Sequence, residues 1–367
     1  MSISQNKNQN HTFFMKLAFL QAKRNLGNTK ENPSVGCVII NNKHVVSAAC
    51  TGLNGRPHAE YNAIKSFKKK FKNLDLYVTI EPCSHYGKTP PCVNMIIDKG
   101  IKRVFFSIKD PDKRSFDKST KILRKNKINV KGGFYSKEIS DFYRSYIKSK
   151  KDNLPFTTCK IAVTKDFFMI NKKKKFITNE YSRGRVHLMR SMNDCVITSS
   201  TTVINDNPRL SCRINGLLNR SPSRIILDRN LKIPLNSKLV SEANFFQTII
   251  FFNKENINKT RLIKKKGIKI YKIPLNTEGN LDLREALHKV KNLGFNRIFL
   301  ECGPKLSINF MKSMLVDDLK IFVSNERIGV DGKGNIKKKL NPLLKGKKKI
   351  HESVNLFGES LLSYKMK

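Results

Sequence analysis

The chain has 367 residues, 39% of them hydrophobic, with eight cysteines and a formal net charge of +44. That apolar share supports packed cores, and the length suits about two domains. It excludes a chain too polar to fold, and no apolar run approaches the ~20 residues that a membrane span needs. The charge raises nucleic-acid binding as a reading. However, the lysines are spread through both halves, and runs such as 172–175, 264–266 and 347–349 read as solvated loops. Charge of that kind speaks to solubility and non-specific binding, not to fold.

Residues 13–25 carry helical periodicity; this stretch is read as part of an amphipathic helix, not a secretory leader. The expected location is therefore the cytoplasm, where a disulfide framework is not expected. The runs 35–40 and 45–49 flank Asn41-Asn42 and predict a hairpin. A helix is expected over 59–71, a strand over 76–80, and a helix over 92–99 that Gly100 can end. Strand 103–108, helix 118–126 and strand 128–130 complete an alternating series that predicts an α/β layered domain. The Lys- and Ser-rich stretch 143–153, followed by Pro155, marks the boundary, which is set at 1–147 for the first domain, 148–155 for a linker and 156–367 for the second. In the second half strands are expected at 158–163, 195–198, 224–227, 248–252, 297–300 and 320–323, with a helix over 305–314. The Lys-rich tail after Asp331 shows no clear pattern.

Three segments carry chemistry: Pro57-His58-Ala59-Glu60, Glu81-Pro82-Cys83 and Pro90-Pro91-Cys92. They offer one imidazole, two thiolates and a carboxylate. Zinc takes nitrogen and sulfur ligands tetrahedrally, and a catalytic site keeps its fourth position for water. His58, Cys83 and Cys92 are the expected ligands, and Glu60 is the proton-transfer group. The pattern matches the His-x-Glu and Pro-Cys-x-x-Cys signature of zinc nucleobase deaminases, except that eight residues separate the two cysteines here. The plainer alternative is a buried cysteine, an unrelated second one and a capping histidine. Pro91 suits the start of a helix at Cys92. His58 and Glu60, two apart, do not share a face of an ideal helix and must lie in its irregular first turn.

The stretch from Glu81 through Ser84-His85-Tyr86-Gly87-Lys88-Thr89 to Cys92 resembles the long cysteine loop of the bifunctional riboflavin-biosynthesis deaminase/reductase family. Asn32-Pro33-Ser34-Val35-Gly36-Cys37 and Asp110-Pro111 fit the same family, and the resemblance covers most of the chain. It implies a cytidine-deaminase-like α/β domain followed by a dihydrofolate-reductase-like α/β domain, with Zn2+ and NADPH as cofactors. The implied chemistry is zinc-hydroxide deamination of a diaminopyrimidinone ribosyl phosphate, then NADPH reduction of the ribosyl to a ribityl chain. The resemblance implies that Asn32 contacts the base, with Lys88 a further candidate. It implies NADPH contacts at Ala162, Phe176, Thr202, Asp206, Gly303 and Pro304, and sugar-phosphate contacts at Lys174, Arg190, Leu210, Arg213 and Glu301. A strand running into Gly303-Pro304 and a helix is also, by itself, a phosphate-binding junction.

There are departures. Ala49-Cys50-Thr51 stands where the family has Gly, an aromatic and His, and Asp112-Lys113-Arg114-Ser115-Phe116 replaces a Gly-rich loop. Lys174 stands in place of a substrate-binding Ser. Phe167 replaces a turn glycine, which predicts a reshaped loop and a slower reductase. The competing readings are a zinc deaminase acting on RNA through a nucleic-acid-binding second half, a deaminase with an inactive reductase half, and a zinc-stabilised binding protein. Glu60 argues against the last, since a structural zinc site needs no free carboxylate. The expected partner is a small phosphorylated pyrimidine, with no specific nucleic acid and no membrane, and a homo-oligomer is left open.

Overall fold

The computed structural model describes residues 3–69 and 71–367, with side chains from Asn10 onward. The chain divides into two compact units, 1–153 and 154–367. The stretch 148–155, read as linker, is helical as far as Lys151.

The first unit is built on a five-stranded sheet. Strands β1 (Gly36–Asn41), β2 (His44–Cys50), β3 (Leu74–Ile80), β4 (Arg103–Ile108) and β5 (Asn129–Lys131) lie in the order β2-β1-β3-β4-β5. The expected hairpin is β1–β2, with β1 antiparallel to both neighbours and β3, β4 and β5 parallel. The helices are α1 (Ile3–Lys23), α2 (Ala59–Lys65), α3 (Cys92–Asp98), α4 (Lys118–Lys125), α5 (Ser136–Phe142) and α6 (Arg144–Lys151). Adjacent strand residues point to opposite faces, and β1 shows what that requires. A Cβ at Gly36 would lie 1.8 Å from the Ala18 carbonyl oxygen, so only glycine lets α1 pack on this face. Cys37, one residue on, is buried towards Glu60 of α2.

Helix α2 is shorter than expected. It stops at Lys65, where the Ser66 hydroxyl donates to the Ala63 carbonyl at 2.9 Å. A terminal serine competes in this way for helix carbonyls. The three successive lysines that follow also repel one another.

The second unit carries a nine-stranded sheet. Its strands are β6 (Phe156–Val163), β8 (Cys195–Ser199), β9 (Ser223–Leu227), β10 (Thr248–Phe252), β11 (Lys269–Lys272), β12 (Arg297–Glu301), β13 (Asp318–Val323), β15 (Lys348–Ile350) and β16 (Ser360–Lys365), and a separate ribbon pairs β7 (Phe168–Asn171) with β14 (Gly332–Asn335). The order is β11-β10-β9-β8-β12-β6-β13-β16-β15. It is parallel through β13, and β16 then adds antiparallel. Ile225 and Leu227 belong to one hydrophobic cluster and Ile226 to another, so both faces are covered. Parallel sheets require this. The covering helices include α7 (Glu180–Ser191), α8 (Ser200–Asp206), α9 (Lys238–Ser241), α10 (Ile257–Lys265), α11 (Leu283–Asn292), α12 (Pro304–Lys312) and α13 (Lys337–Leu344). The Lys-rich tail is thus ordered, because β16 pairs with β13.

At the turn where a reshaped loop is expected, Phe167 meets the demand itself. Phe167 itself takes the left-handed conformation, φ 66°, that a glycine would adopt freely. Its N–H donates to the Thr164 carbonyl, and Phe168 N–H to the Thr164 hydroxyl. Asp166 accepts from the N–H groups of Ile328 and Gly329. The Phe167 ring packs against the core, which offsets a cost of about 1–2 kcal/mol for a side chain in this region.

Candidate active sites

The first site forms where β3 ends. The chain leaves Ile80 into Glu81-Pro82-Cys83, beside the first turns of α2 and α3. His58 is the residue before α2, in extended conformation, and Glu60 lies in that helix's first turn. Pro91 precedes α3, which opens at Cys92. His58 Nδ1 lies 3.5 Å from Cys83 Sγ and 3.4 Å from Cys92 Sγ. Among the described residues, these three form the group whose ligand atoms all lie within 4.8 Å of one another.

This spacing fits zinc. Bonds of about 2.0 Å to nitrogen and 2.3 Å to sulfur, spread at a tetrahedral angle, place N and S roughly 3.5 Å apart. The Cys92 N–H also donates to Cys83 Sγ at 3.3 Å. A helix N-terminus favours a thiolate in this way. The Cys92 hydrogen bond and His58 pull the Cys83 thiol down to about 4, whereas Cys92 itself is held up by its bond to Cys83 and by burial. Glu60 is 4% exposed and is not part of the ligand group. Burial, then the charge on Cys83, raises its carboxyl to about 7.

The surrounding loops show how the departures are accommodated. The Thr51 hydroxyl accepts from Val35 N–H at 2.9 Å, tying β2 to the Asn32-Pro33-Ser34 entry. Asn32 donates to the Gly55 carbonyl at 2.8 Å, beside the His58 segment. Glu81 is buried and accepts from the Ser119 and Thr120 hydroxyls at 2.6 and 3.0 Å. The Ser115 hydroxyl lies 2.9 Å from His85 Nδ1, and Asp112 pairs with Arg114 and Lys150 at 2.7 and 2.9 Å. In this chain, ion pairs and hydroxyls fix the loop after Asp110-Pro111. Sequence reasoning missed Ser115 because nothing local marks a serine whose partner is thirty positions away. Lys88 is exposed on the cysteine loop.

The second site is an open cavity of about 1640 Å³ in the second unit. It lies at the carboxyl ends of β6, β8, β9 and β12, where open α/β sheets bind ligands. Of the expected cofactor residues, Ala162, Phe176, Thr202, Asp206, Gly303 and Pro304 all line it. Arg190, Leu210, Arg213 and Glu301 line it too. Lys174 does not: its ammonium pairs with Glu326 at 2.7 Å on the exposed β7 loop, while Lys172 and Lys175 reach the cavity wall.

Arg190 grips Glu301 through two bonds of 2.6 and 2.9 Å, with side chains 12% and 10% exposed. Burial would raise the Glu301 carboxyl, but Arg190 outweighs it and holds it low. Lys160 stands opposite Glu301 in the β6–β12 register, and burial pulls its ammonium down while Glu301 raises it. Sequence reasoning missed this lysine, since one more Lys in so basic a chain carries no signal. A Cβ on Gly303 would meet nothing within 4 Å, so the space before the first turn of α12 is open to a phosphate. The residues therefore fit NADPH.

Comparison with known proteins decides the family. Residues 8–108 match the cytidine and deoxycytidylate deaminase zinc-binding region, and residues 155–353 match the RibD C-terminal domain. The chain is 33% identical to the riboflavin biosynthesis protein RibD of Aquifex aeolicus, over 86% of this chain and 87% of that protein. It belongs to the RibD family. The RibD of Buchnera aphidicola is 31% identical over the same 86% of this chain and 87% of its own length. A crystal structure from Thermotoga maritima, a diaminohydroxyphosphoribosylaminopyrimidine deaminase/5-amino-6-(5-phosphoribosylamino)uracil reductase, superposes with a TM-score of 0.84 at 27% identity, covering 98% of this chain and 99% of that one. Like other RibD proteins, this chain is a bifunctional deaminase/reductase of riboflavin biosynthesis. It joins a zinc-binding, cytidine-deaminase-like domain to an NADPH-using reductase domain of dihydrofolate-reductase-like fold. No described helix is long and apolar enough to cross a membrane.

Proposed function

We propose that the two units act in sequence on the substrates named for the Thermotoga protein: a diaminopyrimidinone ribosyl phosphate is deaminated, then its ribosyl chain is reduced to ribityl. The observation that carries this reading is the triad of His58, Cys83 and Cys92 with Glu60 buried beside it and unliganded.

In the deaminase half, 1–147, His58, Cys83 and Cys92 hold the metal. Zinc, when bound, supplies Lewis-acid activation of water. Asn32 holds the base, and Lys88 offers its ammonium at the mouth. The Glu60 carboxylate takes a proton from the attacking water, whose oxygen bonds to the ring carbon bearing the amine, and delivers it to the exocyclic nitrogen, which leaves as ammonia. Burial raises Glu60 into the range where a carboxyl both accepts and returns a proton near neutral pH.

In the reductase half, 156–367, Gly303, Pro304 and the first turn of α12 receive the NADPH diphosphate. Ala162, Phe176, Thr202 and Asp206 line the rest of its path. Arg190, Leu210, Arg213 and Glu301 meet the sugar phosphate. Lys174, paired with Glu326, is displaced from that role, and Lys175 takes its place on the wall. NADPH supplies the hydride; the protein supplies orientation and charge. The setting is the cytoplasm, and the high net charge reflects composition, not a specific nucleic-acid partner.

The test is direct. Purified chain given the diaminopyrimidinone substrate should release ammonia, and then oxidise NADPH in step with ribityl formation. Ammonia release without NADPH oxidation would leave only the deaminase reading. Strong inhibition by transfer RNA at physiological salt would favour the RNA-directed reading.

A further inference from the structure

The wall of the second cavity contains a segment under strain. Between Asn207 and Arg213 the backbone takes left-handed conformations at Asn207 (φ 42°) and Leu210 (φ 56°), and Leu210 is buried. A buried leucine in that region persists only where its surroundings over-determine it. The grips are visible. Cys212 N–H donates to the Ser221 hydroxyl at 3.0 Å. From α7, Arg190 Nη1 donates to the Ser211 carbonyl at 3.0 Å, and His187 meets the same strap.

His187 is at the centre of this contact. Its Nδ1 lies 3.3 Å from the Arg213 N–H and 3.3 Å from Arg190 Nη1. Its shortest contact is the Ser211 carbonyl oxygen at 3.0 Å, which has two lone pairs and accepts from Arg190 as well. The Nδ1 proton therefore goes to the Ser211 carbonyl. Arg190 has its other donors on Glu301, so its orientation is set from both sides. Arg213, by contrast, lines the cavity, and the main chain that carries it is held through Ser211, two residues before it.

We propose that His187 is a positioning residue of the reductase. Through its bond to the Ser211 carbonyl it clamps the strained 207–213 strap onto α7, and so aims the Arg213 guanidinium at the anionic end of the sugar-phosphate substrate. The inference rests on the assignment of Arg213 to that substrate. His187 does not itself touch the reacting atoms. Its loss weakens capture of the phosphate and leaves hydride transfer unchanged.

The test uses the full-length protein with the deaminated aminouracil ribosyl phosphate, following NADPH absorbance. His187→Leu should raise KM about tenfold, equivalent to about 1.4 kcal/mol, with kcat and NADPH affinity within twofold of wild type. His187→Asn places an amide where Nδ1 stood and should restore KM to within twofold. His187→Gln, whose amide reaches the Nε2 position instead, should stay impaired. An unchanged KM in His187→Leu, a fall in kcat alone, or Gln rescuing better than Asn would overturn the proposal. If the leucine variant melts early, the order of Asn and Gln still decides. Arg213→Ala keeps the two assignments apart. An unchanged KM there overturns the substrate role of Arg213, whereas a raised KM there with a normal one in His187→Leu overturns only the positioning role.

Discussion

The zinc triad of the first unit and the cavity of the second hold charge in different ways. In the first, three ligand atoms converge within 4.8 Å, and the carboxylate beside them is 4% exposed. In the second, the charges are spread along the ends of four strands around some 1640 Å³ of open space. The first arrangement works at bonding distance, so each atom is indispensable. The second works by orientation, through pairs such as Arg190–Glu301 and strained straps such as 207–213. Loss of one group should therefore abolish chemistry in the first unit and degrade affinity or stability in the second.

The largest effects should fall on the triad. Cys83→Ser should take zinc from about one equivalent to nearly none and abolish ammonia release, with NADPH oxidation on the deaminated substrate untouched. Glu60→Gln should keep the zinc and lose about 10²–10⁴-fold in deamination, the usual worth of general acid–base help. Metal analysis beside an ammonia assay separates the two. Undiminished ammonia release in Glu60→Gln would remove Glu60 from the mechanism.

Next comes the buried pair in the cavity. Arg190→Met leaves the Glu301 carboxylate without its partner, and breaking such a pair costs about 3–5 kcal/mol. Denaturant unfolding of the second unit should shift by that order, and NADPH oxidation should fall with it. A shift below about 1 kcal/mol would mean the wall is more solvated than its 12% and 10% exposures indicate.

A smaller effect tests the strained turn. Phe167→Gly removes a left-handed cost of about 1–2 kcal/mol but also removes a packed ring, so its unfolding midpoint should stay near wild type. Phe167→Val keeps the strain, adds a β-branch and loses packing, and should destabilise by about 2 kcal/mol. Equal midpoints for the two would show that backbone strain plays no part here.

The smallest effect is electrostatic. Burial, then Arg190 and Arg213, pull His187 down to about 4 from 6.5, while its bond to the Ser211 backbone and then Glu301 oppose them. A lowered histidine means that the unfolded chain binds more protons between these two values, so the contribution to stability is present above 6.5 and is lost as pH falls towards 4. The melting temperature of wild type should therefore drop relative to His187→Asn across that window, and the gap should be constant above pH 7. Asp194, raised by burial to about 6, works in the opposite direction in both proteins and cancels in the difference.

The two units also differ in how far their sequence could be read. His58, Glu60, Cys83 and Cys92 stand in short segments rich in proline, where the spacing itself specifies a ligand set. Strands such as β3 and β4 were equally plain, because most of each run is buried and most of its residues are accordingly apolar. The amino-acid order also determined Gly36: a packing glycine inside the Val-Gly-Cys entry, without which α1 has no place on the sheet.

Other features are set by partners far away in the chain. That Lys174 turns outward to Glu326, that Ser115 meets His85, and that His187 meets the Arg213 main chain all depend on residues 26 to 152 positions apart. The tail after Asp331 looked patternless because Lys337, Lys338 and Lys339 dominate it, yet β16 is ordered by pairing with β13. Phe167 is the clearest case. Local preference predicts that a phenylalanine cannot replace a turn glycine unchanged, yet it holds φ 66°. Backbone bonds to Thr164, Asp166 bonded to the 328–329 backbone, and a core that accepts the ring together outweigh a cost of one or two kcal/mol. Local sequence determines what each segment prefers; tertiary contacts decide which preferences are overruled, because several long-range bonds acting together exceed any single residue's conformational cost.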